Sequence, residues 1–124
     1  MTVYPSVEEV LAAHARLIEV FGGAHGVRDR GALEAALARP QSGYYADVIQ
    51  QAAALLESLS QNHPFLDGNK RTAIAVTAAF LRVNGYRLKL DDLEAYQFLI
   101  ELYETGQFRF DRLEPWLREH ATRE

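Results

Sequence analysis

The stretch HPFLDGNKRTAIAVTAAFLRV, residues 63–83, joins a polar junction to a segment that is apolar on nearly every face. A helix that is apolar all round is surrounded by other elements, so residues 71–83 predict a central helix. Asn84 and Gly85 follow this segment and supply a left-handed stop. The sequence therefore predicts an all-α bundle, built around the helix that follows the junction.

The rest of the chain predicts further helices, bringing the total to about six in one compact domain that spans residues 1–124. Residues 86–90 are the one candidate for a short extended stretch. The predicted helices are marked by apolar residues three and four positions apart. The first helix runs from Val7 to Phe21 and begins with a capping box of Ser6 and Glu9, and the second lies between Asp29 and Pro40. The third helix carries the stripe from Tyr45 to Leu59 and reaches Asn62. A further helix is capped by Asp91 and carries Leu93, Tyr96, Leu99, Ile100 and Tyr103, and the last helix carries Leu113, Trp116 and Leu117.

Composition excludes several classes of function. The chain contains no cysteine, which removes disulfide frameworks, thiolate nucleophiles and thiolate zinc sites. No run approaches 18 apolar residues and the N-terminus lacks the pattern of a signal peptide, so we expect a cytoplasmic protein with no membrane association. The formal net charge of −4 argues against direct nucleic-acid binding. Since 11 of the 13 basic residues are arginine, a local anion site remains open.

The junction HPFLDGNKR, residues 63–71, contains several turn-forming residues in succession. Pro64 disfavours a helical conformation at the residue before it, so we expect His63 to be extended and to project from the end of the third helix. Phe65 is expected to pin the loop to the core. Asp67 and Gly68 form a turn pair, in which Gly68 is free to adopt a positive φ.

The first turn of the central helix carries two cations, Lys70 and Arg71, although the helix dipole disfavours cations there by about 0.3–1 kcal/mol each. Asn69 is expected to cap this helix. Free backbone N–H groups and two cations favour a polyphosphate ligand, and Asp67 is placed to hold a divalent ion. On the other side of the loop, His63 is placed to accept a proton from an attacking hydroxyl.

Each of these residues also has an ordinary structural interpretation, as a helix end, a solvent turn or a solvated edge. Their combination at one helix junction favours a functional site. His14, on the apolar stripe of the first helix, is expected to be a packed, hydrogen-bonded histidine. The spacings of zinc hydrolases, serine nucleophiles and Walker loops are missing from the sequence.

HPFLDGNKR resembles the signature of the Fic/Doc superfamily, which is His, any, Phe, any, Asp or Glu, Gly, Asn, any, Arg. Residues 21–40 and 69–86 resemble its death-on-curing (Doc) toxin branch. The resemblance implies a compact six-helix fold that agrees with the pattern above. The roles that it implies are general base for His63, magnesium ligand for Asp67, structural pin for Phe65, and phosphate-binding turn for Gly68, Asn69, Lys70 and Arg71.

Two positions separate the branches of this superfamily. Members that transfer the adenylyl group have Gly at the position of Lys70 and a second Arg at the position of Ile74. The Doc branch shares both changes seen here and transfers the γ-phosphoryl group of ATP to a Ser/Thr hydroxyl, with Mg²⁺. The resemblance therefore implies a toxin kinase of a toxin-antitoxin system whose target, by family analogy, is elongation factor Tu, and whose action arrests translation.

The resemblance also implies a partner. Self-restrained Fic proteins carry an inhibitory helix in which Glu is followed by Gly or Asn, and no Glu in this chain is followed by either. We therefore expect restraint by a Phd-like antitoxin, whose disordered C-terminal segment folds on binding to an apolar groove with an arginine-bearing rim. The alternatives are a Fic-type adenylyltransferase and a catalytically inactive regulatory binding module. A ribonuclease toxin fits less well, because the chain is acidic and shows no second acid/base residue near His63.

Overall fold

The computed structural model describes residues 1–89 and 93–124, with only the backbone of residue 94. The described residues form six α-helices, a single 3₁₀ turn and a two-stranded antiparallel sheet, so the predicted all-α class is confirmed. The helices are α1 (Val7–Phe21), α2 (Arg30–Ala38), α3 (Val48–Gln61), α4 (Asn69–Val83), α5 (Leu93–Glu104) and α6 (Phe110–His120), the 3₁₀ turn is Arg39–Gln41, and the strands are β1 (Tyr86–Leu88) and β2 (Ala121–Arg123).

The first two helices begin where the sequence predicts. The Ser6 hydroxyl accepts from the Glu9 N–H at 3.1 Å, and the Glu9 carboxylate accepts from the Ser6 N–H at 2.8 Å, which completes the capping box of α1. The Asp29 carboxylate caps α2 by accepting from the Ala32 N–H at 3.0 Å. These caps are local in sequence, and all of them are confirmed.

The third helix starts later than its apolar stripe suggests. We expected Tyr45 to lie on the stripe of this helix, but the Asp47 carboxylate accepts from the Gln50 N–H at 2.9 Å and α3 begins at Val48. An N-cap residue has non-helical backbone angles, so the residues before Asp47 are excluded from the helix. Tyr45 instead packs its ring against Phe110, with the ring centroids 5.4 Å apart.

The central helix is α4, as predicted, and it packs against α3, α1 and β1. Its inward side chains Ala73, Phe80 and Leu81 are almost fully buried. The helix ends at Val83, where Gly85 adopts the predicted left-handed conformation with φ 91°, while Asn84 does not. Side chains of α4 also line two grooves, one beside the N-terminal segment and α1 and the other beside β1.

The C-terminal part contains two departures from the predictions. The predicted extended stretch forms β1 over residues 86–88, but its partner β2 carried no recognisable strand pattern. Helix α5 buries Ala95, Leu99 and Leu102, whereas Leu93 and Tyr96, expected on its apolar face, are exposed. The predicted cap Asp91 and the end of the extended stretch at Leu90 lie outside the described residues.

In α6, the three predicted core residues Leu113, Trp116 and Leu117 are all buried, as expected. Across residues 1–89 and 93–124, no helix combines the length and the apolar character that crossing a membrane requires.

Candidate active site

The loop between α3 and α4, residues 63–68, is closed by one side chain from the start of α4. The Asn69 amide accepts from the Phe65 N–H and donates to the Phe65 carbonyl oxygen, both at 3.0 Å. The prediction that Asn69 caps α4 is therefore wrong, because its side chain is engaged with the loop. Gly68 is the N-cap instead, with the predicted positive φ of 75° and no side-chain bond to the helix.

Below the loop, Phe65 is 1% exposed and stacks on the ring of His14. The two ring centroids are 3.8 Å apart and the planes differ by 4°. His14 itself is 4% exposed, and its Nε2 lies 2.8 Å from the carbonyl oxygen of Asp67. A carbonyl oxygen only accepts, so this bond places the proton on Nε2. His14 is packed and hydrogen-bonded as expected, and its partner is the candidate magnesium ligand.

The carboxylate of Asp67 is held by the loop between α1 and α2. Its Oδ2 accepts from the Ala24 N–H at 3.1 Å, and its Oδ1 accepts from the Gly68 N–H at 2.8 Å. Gly23 passes so close that a Cβ there would lie 2.7 Å from Oδ2. The carboxylate is thus oriented by two backbone N–H groups, while the residue as a whole remains exposed.

The same segment, residues 22–29, runs along the loop that carries the motif. Val27 forms an antiparallel bridge with Phe65, and the Leu66 N–H donates to the Gly26 carbonyl oxygen at 3.1 Å. Residues 22–29 contain no residue of the motif, and nothing in their local sequence showed that they lie against residues 63–68.

His63 does not have the expected conformation. Its φ is +48°, in the left-handed region, so the prediction of an extended residue is wrong. Pro64 disfavours the right-handed helical region at the preceding residue, and here the chain turns left-handed instead of extending. Contacts from Arg28 to the carbonyl groups of this junction hold the unusual geometry. The His63 side chain is exposed, and within the described residues it has no hydrogen-bond partner.

Each of the two cations of the first turn of α4 lies over an aromatic ring. Lys70 Nζ is 5.0 Å from the centroid of the Tyr103 ring, and the Arg71 guanidinium is 4.4 Å from the centroid of the Phe21 ring. In the part of the chain that the structure describes, neither cation forms an ion pair with a carboxylate. Within the described residues, no carboxylate therefore neutralises their positive charge.

The first turn of α4 also presents backbone donors. The first hydrogen bond of this turn is made by the Thr72 N–H, which donates to the Gly68 carbonyl oxygen at 3.0 Å. Among the described residues, the three preceding N–H groups, those of residues 69–71, have no acceptor. Free N–H groups at a helix N-terminus favour phosphate oxygens.

These groups share one open pocket of about 310 Å³. The structure thus brings five of the predicted site residues together and adds a side chain from α5 that the motif does not contain. Phe65 lies buried beneath the loop, and His63 does not line this pocket. The lining residues are Leu66, Asp67, Gly68, Asn69, Lys70, Arg71 and Tyr103.

Comparison with known proteins identifies the family. The model of the Fic/DOC family matches residues 4–81, which include α1 to α3, most of α4 and the whole motif. The chain belongs to the Fic/Doc family. The resemblance drawn from residues 63–71 is therefore confirmed.

Two relatives of this Fic/Doc chain carry functional names. A protein of Mycolicibacterium smegmatis named Toxin Doc is 41% identical over 129 aligned residues, which cover 100% of this chain and 85% of the relative. A protein of Escherichia phage P1 named Protein kinase doc is 36% identical over 87 residues, which cover 67% of this chain and 69% of the relative. Both relatives belong to the Doc branch by name.

Proposed function

We propose that this Fic/Doc chain is the toxin of a toxin-antitoxin system and acts in the cytoplasm as an ATP-dependent kinase of Ser/Thr hydroxyls. The observation that carries the proposal is the pocket at the start of α4, where Lys70, Arg71 and three N–H groups that have no acceptor among the described residues meet the Asp67 carboxylate. This donor set suits a polyphosphate with its metal ion. Relatives named as a toxin and as a kinase support the same assignment.

The reaction is an in-line displacement. The hydroxyl oxygen of the acceptor attacks the γ-phosphorus of ATP, and the bond to the bridging oxygen breaks as the new O–P bond forms. ADP leaves with its electron pair, and the hydroxyl proton passes to an imidazole nitrogen of His63. Lys70 and Arg71 bind the phosphate oxygens, and the N–H groups of the first turn add neutral donors.

Asp67 is the residue that would hold Mg²⁺. Each of its oxygens accepts one N–H, which leaves lone pairs for a metal ion. The described residues contain no cluster of three metal-ligating side chains, so the nucleotide phosphates and water would complete the coordination sphere, as Mg²⁺ generally allows. When bound, the ion neutralises charge on the phosphate oxygens.

The choice of phosphoryl over adenylyl transfer rests on Lys70 and Ile74. Ile74, which stands where adenylyl-transferring relatives have a second arginine, is 6% exposed and belongs to the hydrophobic core. This position therefore supplies no cation to the pocket. Lys70 adds one at a position where those relatives have glycine. By family analogy, the proposed target is elongation factor Tu.

An acidic amphipathic helix of an antitoxin is the proposed partner. A groove between the N-terminal segment and α4 is lined mainly by apolar side chains such as Tyr4 and Val83. It shares three α4 residues with a second groove, to which Arg82 and Arg87 contribute. Both arginines are exposed and have no ion pair among the described residues. An apolar floor beside Arg82 and Arg87 suits the disordered C-terminal segment of a Phd-like antitoxin that folds on binding.

Two labels test the reaction. The purified protein is incubated with Mg²⁺, elongation factor Tu or a clarified bacterial lysate, and ATP labelled in either the α- or the γ-phosphate. We expect transfer of the γ-label alone, and a loss of at least about 10²-fold in rate in the His63→Ala variant. Transfer of the α-label would contradict phosphoryl transfer and establish the adenylyltransferase alternative, whereas equal rates for His63→Ala would refute the assigned base.

Expression in a bacterial host tests the toxin assignment. We expect growth arrest with the wild-type chain and normal growth with His63→Ala. Equal growth of the two strains, with soluble and abundant wild-type protein, would contradict the assignment as a toxin.

A further inference from the structure

The backbone of His63 is unusual, and one side chain outside the motif is bonded to it. In the described residues, His63 is the single residue other than glycine that has a positive φ. A non-glycine residue in the left-handed region is uncommon, and such a conformation persists where surrounding contacts hold it. Those contacts come from the segment between α1 and α2.

Arg28 is bonded to three successive carbonyl groups at this junction. Its Nε donates to the His63 carbonyl oxygen at 2.6 Å, and its Nη2 donates to the Asn62 carbonyl oxygen at 2.9 Å. Its backbone N–H donates to the Pro64 carbonyl oxygen at 2.8 Å, and the Asp29 N–H donates to the same atom at 3.1 Å. The planar guanidinium can address two carbonyls at once in a fixed geometry, which an ammonium group cannot do.

The guanidinium of Arg28 has no competing partner in the described part of the chain. It forms no ion pair there, although the residue is exposed. Asn62 is the C-cap of α3, where a cation complements the helix dipole. The side chain is thus engaged with the end of α3 and the candidate base.

We infer that Arg28 is a positioning residue for the transfer reaction, because it fixes the backbone from which the His63 imidazole extends. This inference rests on the proposed function, which makes His63 the general base. Proton transfer requires the base to lie within hydrogen-bond reach of the acceptor hydroxyl. A rotation about the His63 backbone displaces the imidazole without touching the phosphate-binding turn. The contribution of Arg28 is therefore to turnover and not to nucleotide binding.

The expected result is a separation of kcat from KM. A misplacement of about 1 Å costs about 10²-fold in rate, so we expect Arg28→Ala to lower kcat by about 10- to 100-fold while the KM for ATP changes less than about twofold. Arg28→Lys keeps the charge but cannot donate to both carbonyl groups in the same fixed geometry, so its kcat should lie between those of wild type and Arg28→Ala. Millimolar guanidinium ion should partly restore the activity of Arg28→Ala and leave that of Arg28→Lys unchanged.

The matched control is Arg30→Ala. Arg30 is the next arginine along the chain, its side chain is 56% exposed, and its ion pairs are with Glu8 and Glu34. It makes no hydrogen bond to residues 62–64, so its replacement should leave kcat unchanged. Thermal unfolding of both variants shows whether a loss of activity comes from a loss of folded protein.

Nuclear magnetic resonance tests the geometry independently of activity. The three-bond HN–Hα coupling and the carbon shifts of His63 report its φ, and we expect them to move away from the left-handed values in Arg28→Ala. Unchanged His63 signals in folded Arg28→Ala, or a kcat within twofold of wild type, would overturn the inference. Activity of His63→Ala equal to wild type would instead overturn the proposed function, so the two failures are distinguishable.

Discussion

Replacing His14 by phenylalanine isolates one hydrogen bond beneath the motif. The substitution keeps an aromatic ring to stack on Phe65 but removes the donor that lies 2.8 Å from the Asp67 carbonyl oxygen. A hydrogen bond contributes about 0.5–1.5 kcal/mol, and a buried group left without a partner costs about 1–3 kcal/mol. We therefore expect His14→Phe to lower the free energy of unfolding by about 1–3 kcal/mol.

Two further variants bracket this estimate. His14→Ala also removes the stacked ring and leaves a cavity at a site that is 4% exposed, so we expect a loss of about 3–5 kcal/mol. His14→Gln retains a donor on a flexible side chain and should be less destabilising than His14→Phe. Urea unfolding gives the free energies of unfolding of the three variants. If these free energies depend on urea concentration with the same slope, the unfolding midpoints can be compared directly.

The bond also has a functional consequence that unfolding does not measure. His14 is bonded to the backbone of the residue whose carboxylate is the proposed Mg²⁺ ligand, and loss of such supporting contacts lowers metal affinity by about 10- to 100-fold. We expect His14→Phe to raise the Mg²⁺ concentration needed for half-maximal transfer by about tenfold. An unchanged unfolding midpoint together with unchanged Mg²⁺ dependence would refute the reasoning.

Two other predictions concern contacts of the pocket. Gly23→Ala should weaken Mg²⁺ activation more than Gly22→Ala. Both glycines have a positive φ, but a Cβ at Gly23 would lie 2.7 Å from Asp67 Oδ2, whereas a Cβ at Gly22 would meet nothing within 4 Å. Equal Mg²⁺ activation in the two variants would contradict this prediction. Tyr103→Leu should raise the KM for ATP about two- to fivefold by removing a cation–π contact with Lys70, while Tyr103→Phe should not. Steady-state kinetics at low salt checks the second prediction, and equal values for the Leu and Phe variants would contradict it.

Features that depend on neighbours in sequence were predictable. The capping box of Ser6 and Glu9 and the cap at Asp29 are confirmed because each joins atoms three residues apart. The positive φ of Gly68 is confirmed because a turn at that position requires it. The central helix is confirmed because its apolar pattern extends around the helix.

Features that depend on contacts between distant segments were not predictable in the same way. Asn69 has the residue type of a helix cap, but its amide is bonded to Phe65 instead. His63 has the sequence context of an extended residue, but donors from Arg28 accompany a left-handed turn. Nothing in the sequence around Tyr103 indicates that it lies at the pocket, because its place there follows from the packing of α5.

The motif is therefore only one part of the candidate site. His14 of α1 supports the loop from below, and Ala24 and Arg28 hold its two ends. Tyr103 of α5 lies under Lys70, in the first turn of α4. Reactive groups perform well when supporting residues restrict their positions. Because these supports come from three separate segments, substitutions outside residues 63–71 should reduce transfer while every residue of the motif remains in place.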